Sequence, residues 1–540
     1  MDVPQPSSPR QRFPVVVLAI VLQQAALAAA VLAAPPEVQI VPVSDEIAVS
    51  QPDGDYESGA KVAADRNGGW GVTWGSEDLD FAHPTGRQRR FDRDGASVPG
   101  SLRDHEFAAA DLGLDGVGKG VLVGVRARPE LGGSEVDAQC VDALGAPRGV
   151  RVRVDGGTIS AASRRPSHVR VATASDGTSV VVWQETPVDF VTPPSVFFRR
   201  LLADCTPTGN VGSLGAVGVV GRREPEVAPR PDGGFVVVFL EGEASDNLKV
   251  AAQQFDSDGD ALAPSFLVSQ GVVQQYYGAS VTVASDGRFA VAWRTPAPPN
   301  ASSGISGRVF AADGTALGGE LALRLPRPAN ATSSAVAAVG GYFVAAWGEN
   351  GFVEEGSAVY GRAFEAAGPL GGEVVLNAEH TDPDSVRIAA LGGNEFVVVW
   401  DDLAEQTLPQ DVVARRFVLA PQVAGCADSA SALCLGADRI RIEVEWRDYQ
   451  DRRGAGHAYP LTTDSGLFWF FTDTNLEVLV KVVNACAGFS RHWVYAAATT
   501  DVEYTLTATD TATGRSRQYF NPLGNRSAAI TDSNAFATCP

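Results

Sequence analysis

Seven times between residues 70 and 417 a glycine-rich turn leads into a run of β-branched and aromatic residues that ends on a large aromatic. A loop follows, and a second run closes on another aromatic. The clearest copies are DGRFAVAW (286–293) with ISGRVFAADG (305–314), GGYFVAAW (340–347) with AVYGRAFEAAG (358–368), and NEFVVVW (394–400) with DVVARRF (411–417). Aligning the second run on its anchor gives Phe91, Cys140, Leu201, Phe255, Phe310, Phe364 and Phe417, between 49 and 61 residues apart and mostly near 54. A period of that length filled only by short strands is the mark of a radial β architecture. The pattern predicts an all-β, seven-bladed β-propeller.

Each repeat reads as four strands, a to d. In the fifth, SVTVA (280–284), RFAVAW (288–293), ISGRVF (305–310) and ELALRL (320–325) are the four, with Asp-Gly turns at 286–287 and 313–314. The near-continuous apolar run in b fits a strand covered on both faces. The second repeat is degenerate: VLVGV (121–125) lacks the closing aromatic and Cys140 replaces the phenylalanine. The seventh stops after strand c. A substitute lies at the other end of the chain, where EVQIVPV (37–43) resembles the other d strands. Paired beside 411–417, it would close the ring from within 35–420 and remove two sheet edges. Beyond 420 the composition changes. Runs at 439–446, 466–471, 478–483, 492–497 and 502–510, several with period-two alternation, predict a second domain over 426–540 built as a β-sandwich.

Composition adds a compartment. Arg10 and Arg12 precede an apolar stretch and an alanine-rich run, the order of a secretory signal peptide over 1–34. An uncleaved anchor is the alternative, against which Gln23 and Gln24 interrupt the apolar stretch. No later segment is long enough to span a bilayer, so no membrane span is expected after signal removal. The net charge of −21 becomes −22 without the leader, which argues against nucleic acid and anionic membranes as partners. Six cysteines in an exported chain predict disulfides. Spacing favours Cys426–Cys434 and Cys486–Cys539, leaving Cys140 and Cys205 as the third pair.

The unit GFVVVW…GRxF(D)xxGxxLGGE(F)xVN, matched by residues 286–325, 340–377 and 394–417 and more loosely from 61 to 280, resembles a repeat of secreted bacterial proteins, mostly without an assigned function. The family's short Asp/Gly loop between the two runs is replaced here by TPAPPNASSG (295–304) and DDLAEQTLPQD (401–411). The stretches CLGADRIRIEVEWRD (434–448), GAGHAYPLTTDSGLFWFF (454–471), VLVKVVNA (478–485) and YTLTATDTATG (504–514) are similar to a C-terminal domain of exported bacterial proteins, with no established activity. Both resemblances imply fold and export, without naming a ligand.

Candidate chemistry is sparse. Gly113 to Lys119 mimics a phosphate-binding loop, but Gly120 stands where Ser or Thr is needed and a strand follows. Asp256, Asp258 and Asp260 suggest calcium, yet they occupy an ordinary c–d turn and lack the closing glutamate of an EF-hand. There is no HExxH and no GxSxG. Arg89, Arg199, Arg308, Arg362 and Arg415 each precede the anchor by two. That regularity favours a structural role, stacking on Trp74, Trp183, Trp293, Trp347 or Trp400, over an anion-binding ring.

The loops between b and c emerge on one face and are counted to hold 17 acidic residues, Glu135, Glu185 and Glu349 among them, against Arg126, Arg128 and Arg294. Charge is densest at Glu354, Glu355, Asp401 and Asp402, the expected face for cations, calcium or basic partners. The expectation is a secreted, non-catalytic binding scaffold for an extracellular protein or glycan. The alternatives are an extracellular carbohydrate-active enzyme, a glycoside hydrolase or lyase with funnel carboxylates, and a structural cell-envelope component. No cofactor is called for.

Overall fold

The computed structural model describes residues 38–539, except 52–54, 78–84, 108–109, 129–132, 158–163, 190, 215–219, 244–246, 274–277, 297–302, 325–328, 352–356, 378–381, 404–409, 422–425, 427 and 437–438. The signal segment therefore lies outside the described residues. The described residues are all-β apart from one turn of helix at Cys486–Phe489.

Strands a to d of each repeat pair in order as an antiparallel sheet. In the fifth repeat they are Ser280–Val283, Phe289–Thr295, Gly304–Phe310 and Leu321–Ala322. The register explains the aromatic anchors: Phe289 stands directly opposite Phe310, and their rings stack 4.9 Å apart. Trp70 with Phe91 and Phe235 with Phe255 repeat the arrangement at 4.0 and 4.8 Å. Such cross-strand pairs hold a sheet together. The b strands are sealed on both faces, and Trp74, Trp183, Trp293, Trp347 and Trp400 are fully buried.

Turn chemistry is equally regular. Asp286 accepts the N–H of Arg288, and Gly287 takes φ 86°, which a side chain would resist. Asp115 does the same for Val117 and Lys119, so the phosphate-loop lookalike is a tight turn between two strands.

The repeated arginines are structural, but they do not stack on tryptophan. Residues i and i+2 share a strand face, so Arg89, Arg308 and Arg415 lie over their own anchors Phe91, Phe310 and Phe417 at 5.7, 5.4 and 5.8 Å. Their guanidinium groups reach the last strand of the preceding sheet. Arg199 donates to the carbonyl of Val154 (3.1 Å), Arg308 to Val268 (3.0 Å), Arg362 to Leu323 (3.1 Å) and Arg415 to Leu376 (3.0 Å). Arg89 donates to Val49 (3.0 Å), which follows the N-terminal strand, so the first sheet is clamped to the last.

In that last sheet Val38–Pro42 lies antiparallel to Gln410–Pro421, with Pro42 opposite Phe417, and Ile47–Ala48 extends the pairing to Val413 and Ala414. Val38, Ile40 and Val41 are buried there. Cys140–Cys205 joins the second and third sheets. Cys426–Cys434 and Cys486–Cys539 are also bonded. Past residue 430, two five-stranded sheets share one core that includes Leu433, Ile442, Phe468, Val480, Val494 and Leu506. Among the described residues no helix is long and apolar enough to cross a membrane.

Candidate functional site

The first strands of the seven sheets line one channel of about 630 Å³. In each of those strands the residue 13 positions before the b-strand residue that is an aromatic in six sheets and Gly124 in the second is polar. Lys61, Asp111, Arg170, Glu226 and Arg387 are the charged members, and Ser280 and Ser334 complete the set. Sequence reasoning missed this layer because each residue looks ordinary alone. The shared spacing was the signal that could have found it.

The layer divides into occupied and unoccupied groups. The Asp111 carboxylate accepts the N–H of Leu112 and, from the next sheet, that of Val171, both at 2.9 Å. Arg170 Nε donates to Glu226 at 3.1 Å, across another sheet boundary. Arg387 donates to its neighbour's carbonyl, Val386, at 2.9 Å. Lys61 Nζ donates to the carbonyls of Gly59 and Ala60 at 3.0 and 3.3 Å. Among the described residues neither Lys61 nor Arg387 has a carboxylate at ion-pair distance. The buried hydroxyl of Ser334 has no hydrogen-bond partner.

Depth shifts these groups. Burial, and then Arg387 and Arg170, hold the Lys61 ammonium well below its ordinary pKa. Burial and then Arg170 lower Arg387 as well. At Arg170 burial also works downward, but Glu226 and Asp111 outweigh it and the group is raised. Burial and then Arg170 and Lys61 drop His168 to about 4.

A β-bulge precedes the layer in five of the strands, between Ser58 and Lys61, Ser167 and Arg170, Arg223 and Glu226, Ala331 and Ser334, and Asp384 and Arg387. His168, Glu224 and Ser385 are forced to φ 50°, 51° and 46° within them. The bulges bend these inner strands at one level of the channel.

The loop face differs from expectation. Asp401 is no surface charge: it lies in strand Glu395–Leu403 and is buried. It accepts the N–H groups of Gly59 (2.6 Å) and Ala60 (3.1 Å) from the first sheet. Burial raises its pKa to about 6 against those two bonds. Glu185 and Glu349, two residues beyond Trp183 and Trp347, are also buried and accept the indole N–H at 3.0 and 2.7 Å. Glu135 is buried against Arg128. The strands run past the aromatic, so residue i+2 turns into the space between sheets rather than out to solvent. Asp402 is half-buried. Glu354 and Glu355 lie outside the described residues. The Asp256 carboxylate accepts the N–H of Asp258 and of Asp260, both at 2.9 Å, and Arg200 stands 3.8 Å from Asp258. The other Asp-Gly turns use one aspartate in the same way.

No family model matches the chain, and no curated protein matches it. Solved structures do. A protein of unknown function from Dyadobacter fermentans is 12% identical with a TM-score of 0.42, over 70% of this chain and 99% of that one. The α-L-arabinanase of Penicillium chrysogenum is 12% identical with a TM-score of 0.40, over 69% and 98%. The β-propeller domain of the Trilobed protease from Pyrococcus furiosus is 12% identical with a TM-score of 0.39, over 68% and 94%. Likeness at this level leaves activity to the chain's own residues.

Proposed function

We propose that this is an exported, non-catalytic binding scaffold: a seven-bladed β-propeller closed by Val38–Pro42, followed by a β-sandwich domain over 426–540. It belongs with the secreted bacterial repeat proteins that its strand motif resembles. The observation that supports binding over turnover is the state of the layer carboxylates. Asp111 is taken up by two backbone N–H groups and Glu226 by Arg170. A general acid or base needs a proton it can exchange with a substrate, and these two are fixed in structural bonds. The partner is an extracellular protein or glycan, reached through the b–c loop face, where Glu354 and Glu355 would supply charge for a cationic or calcium-bridged contact. Purified protein incubated with a panel of polysaccharides should retain one or more of them on an affinity gel and release no reducing ends. Release of reducing ends would overturn the reading.

A second reading has its own support. Glu224 and Asp384 also line the channel, from the fourth and seventh sheets, and an extracellular glycoside hydrolase needs two carboxylates flanking the bond it cleaves. Under that reading Glu224→Gln abolishes any measured cleavage.

A further inference from the structure

Going round the channel, Ser280, Ser334, Arg387 and Lys61 stand on consecutive sheets, since the inner strand of the seventh sheet adjoins that of the first. Ser280, Arg387 and Lys61 carry hydrogen-bond donors there, and the two cations are the ones without carboxylate partners at ion-pair distance among the described residues. In the opposite arc the charged groups are hydrogen-bonded to one another or to backbone, with Asp111 on backbone N–H groups and Arg170 on Glu226. We propose that this half of the channel binds a polyhydroxylated monocarboxylate, a sugar acid, with its carboxylate against Lys61 and Arg387 and a hydroxyl against Ser280, whose oxygen already accepts the N–H of Val336 at 3.2 Å.

Two observations select that chemistry. First, a guanidinium and an ammonium at the same level of neighbouring strands form a charge-assisted donor set for one carboxylate. Among the described residues their acceptors are local carbonyls, with Arg387 on Val386 and Lys61 on Gly59 and Ala60. Second, Glu224 and Asp384 also line the channel. They repel a dianion more strongly than a monoanion, which disfavours phosphate esters. A channel of about 630 Å³ suits a ligand of one or two sugar rings. The inference does not rest on the scaffold reading: an acid that is bound and then cleaved would refute the scaffold and leave the site standing.

The test is calorimetric titration of the full chain with D-galacturonate, with D-galactose as its neutral counterpart, with inorganic phosphate, and with a galacturonate oligomer. Galacturonate should bind saturably and galactose should not, a comparison that needs no variant. Lys61→Met and Arg387→Met should each weaken binding by at least about tenfold, and Ser280→Ala by less. Lys61→Arg, which keeps the charge, should bind better than Lys61→Met, and near-UV circular dichroism checks that each variant is folded. Tighter binding of the oligomer would mark a polymer as the source, and equal binding a free acid. Absence of saturable galacturonate binding, equal binding of galactose or phosphate, or unchanged affinity in both folded methionine variants would overturn the proposal.

Discussion

The buried pair Arg324–Glu349 decides whether the acids beyond each tryptophan belong to a binding face or to the frame. Both side chains are 2% exposed. Arg324 Nε lies 2.7 Å and Nη2 3.2 Å from the two carboxylate oxygens, and Trp347 Nε1 donates to Glu349 at 2.7 Å. Truncation by Glu349→Ala removes two charge-assisted bonds and leaves both the indole N–H and part of the guanidinium buried without that acceptor. Breaking one side of a buried pair costs about 3–5 kcal/mol. The carbonyls of Ser303 (2.9 Å) and Ala329 (2.6 Å) still receive Arg324, which places the loss toward the lower end of that range. Replacing both partners, as Arg324→Met with Glu349→Leu, removes the stranded charge and should recover much of the loss. Urea unfolding followed by tryptophan fluorescence measures each corner of the cycle. A surface role for Glu349 would instead give a single-variant loss below ~0.5 kcal/mol. That result, or a double variant as unstable as the two singles added, would refute the assignment.

Deleting residues 35–44 strips Val38, Ile40 and Val41 from beside Gln410–Pro421 and should lower the melting temperature by several degrees or prevent folding; an unchanged melting curve would show that the strand does not close the last sheet. Arg415→Met loses the bonds to Leu376 and Ser44 and should cost about 1.5–3 kcal/mol in denaturant unfolding, the range for hydrogen bonds to charged groups. Asp401 has a folded pKa of about 6 against an unfolded value near ~3.9. The native state therefore holds more protons between those values, and the Asp401 contribution to stability falls as pH rises through that window. His105 and His168, held at about 4 by burial, act in the opposite sense. The readout is accordingly the difference between wild type and Asp401→Asn, which should be steepest between those two pH values; parallel pH–stability curves would sink the assignment. Glu354→Gln with Glu355→Gln should weaken partner or calcium binding at the loop face and leave the melting curve unchanged, whereas adding Asp401→Asn should destabilise the fold.

The repeat period, the strand order, the Asp-Gly turns and the substitute strand before the first repeat were legible because each is local. A hydrophobic run ending on an aromatic states its own burial, and a missing fourth strand can be counted. The c-strand arginines were legible as structural from their even spacing. Their acceptors were not, because a carbonyl on the preceding sheet lies about 40 residues away in the chain, as with Arg308 and Val268. The acidic residues misled for a related reason. Composition marks Asp401, Glu185 and Glu349 as loop charges, and only the register shows that strand b continues past its tryptophan and turns them inward. The channel lies at the far end of this scale. Lys61 and Arg387 are separated by most of the chain, and neither has a motif around it. They come to line one channel on adjoining strands only because the seventh sheet returns to the first, an arrangement set by long-range packing rather than by any local stretch of residues.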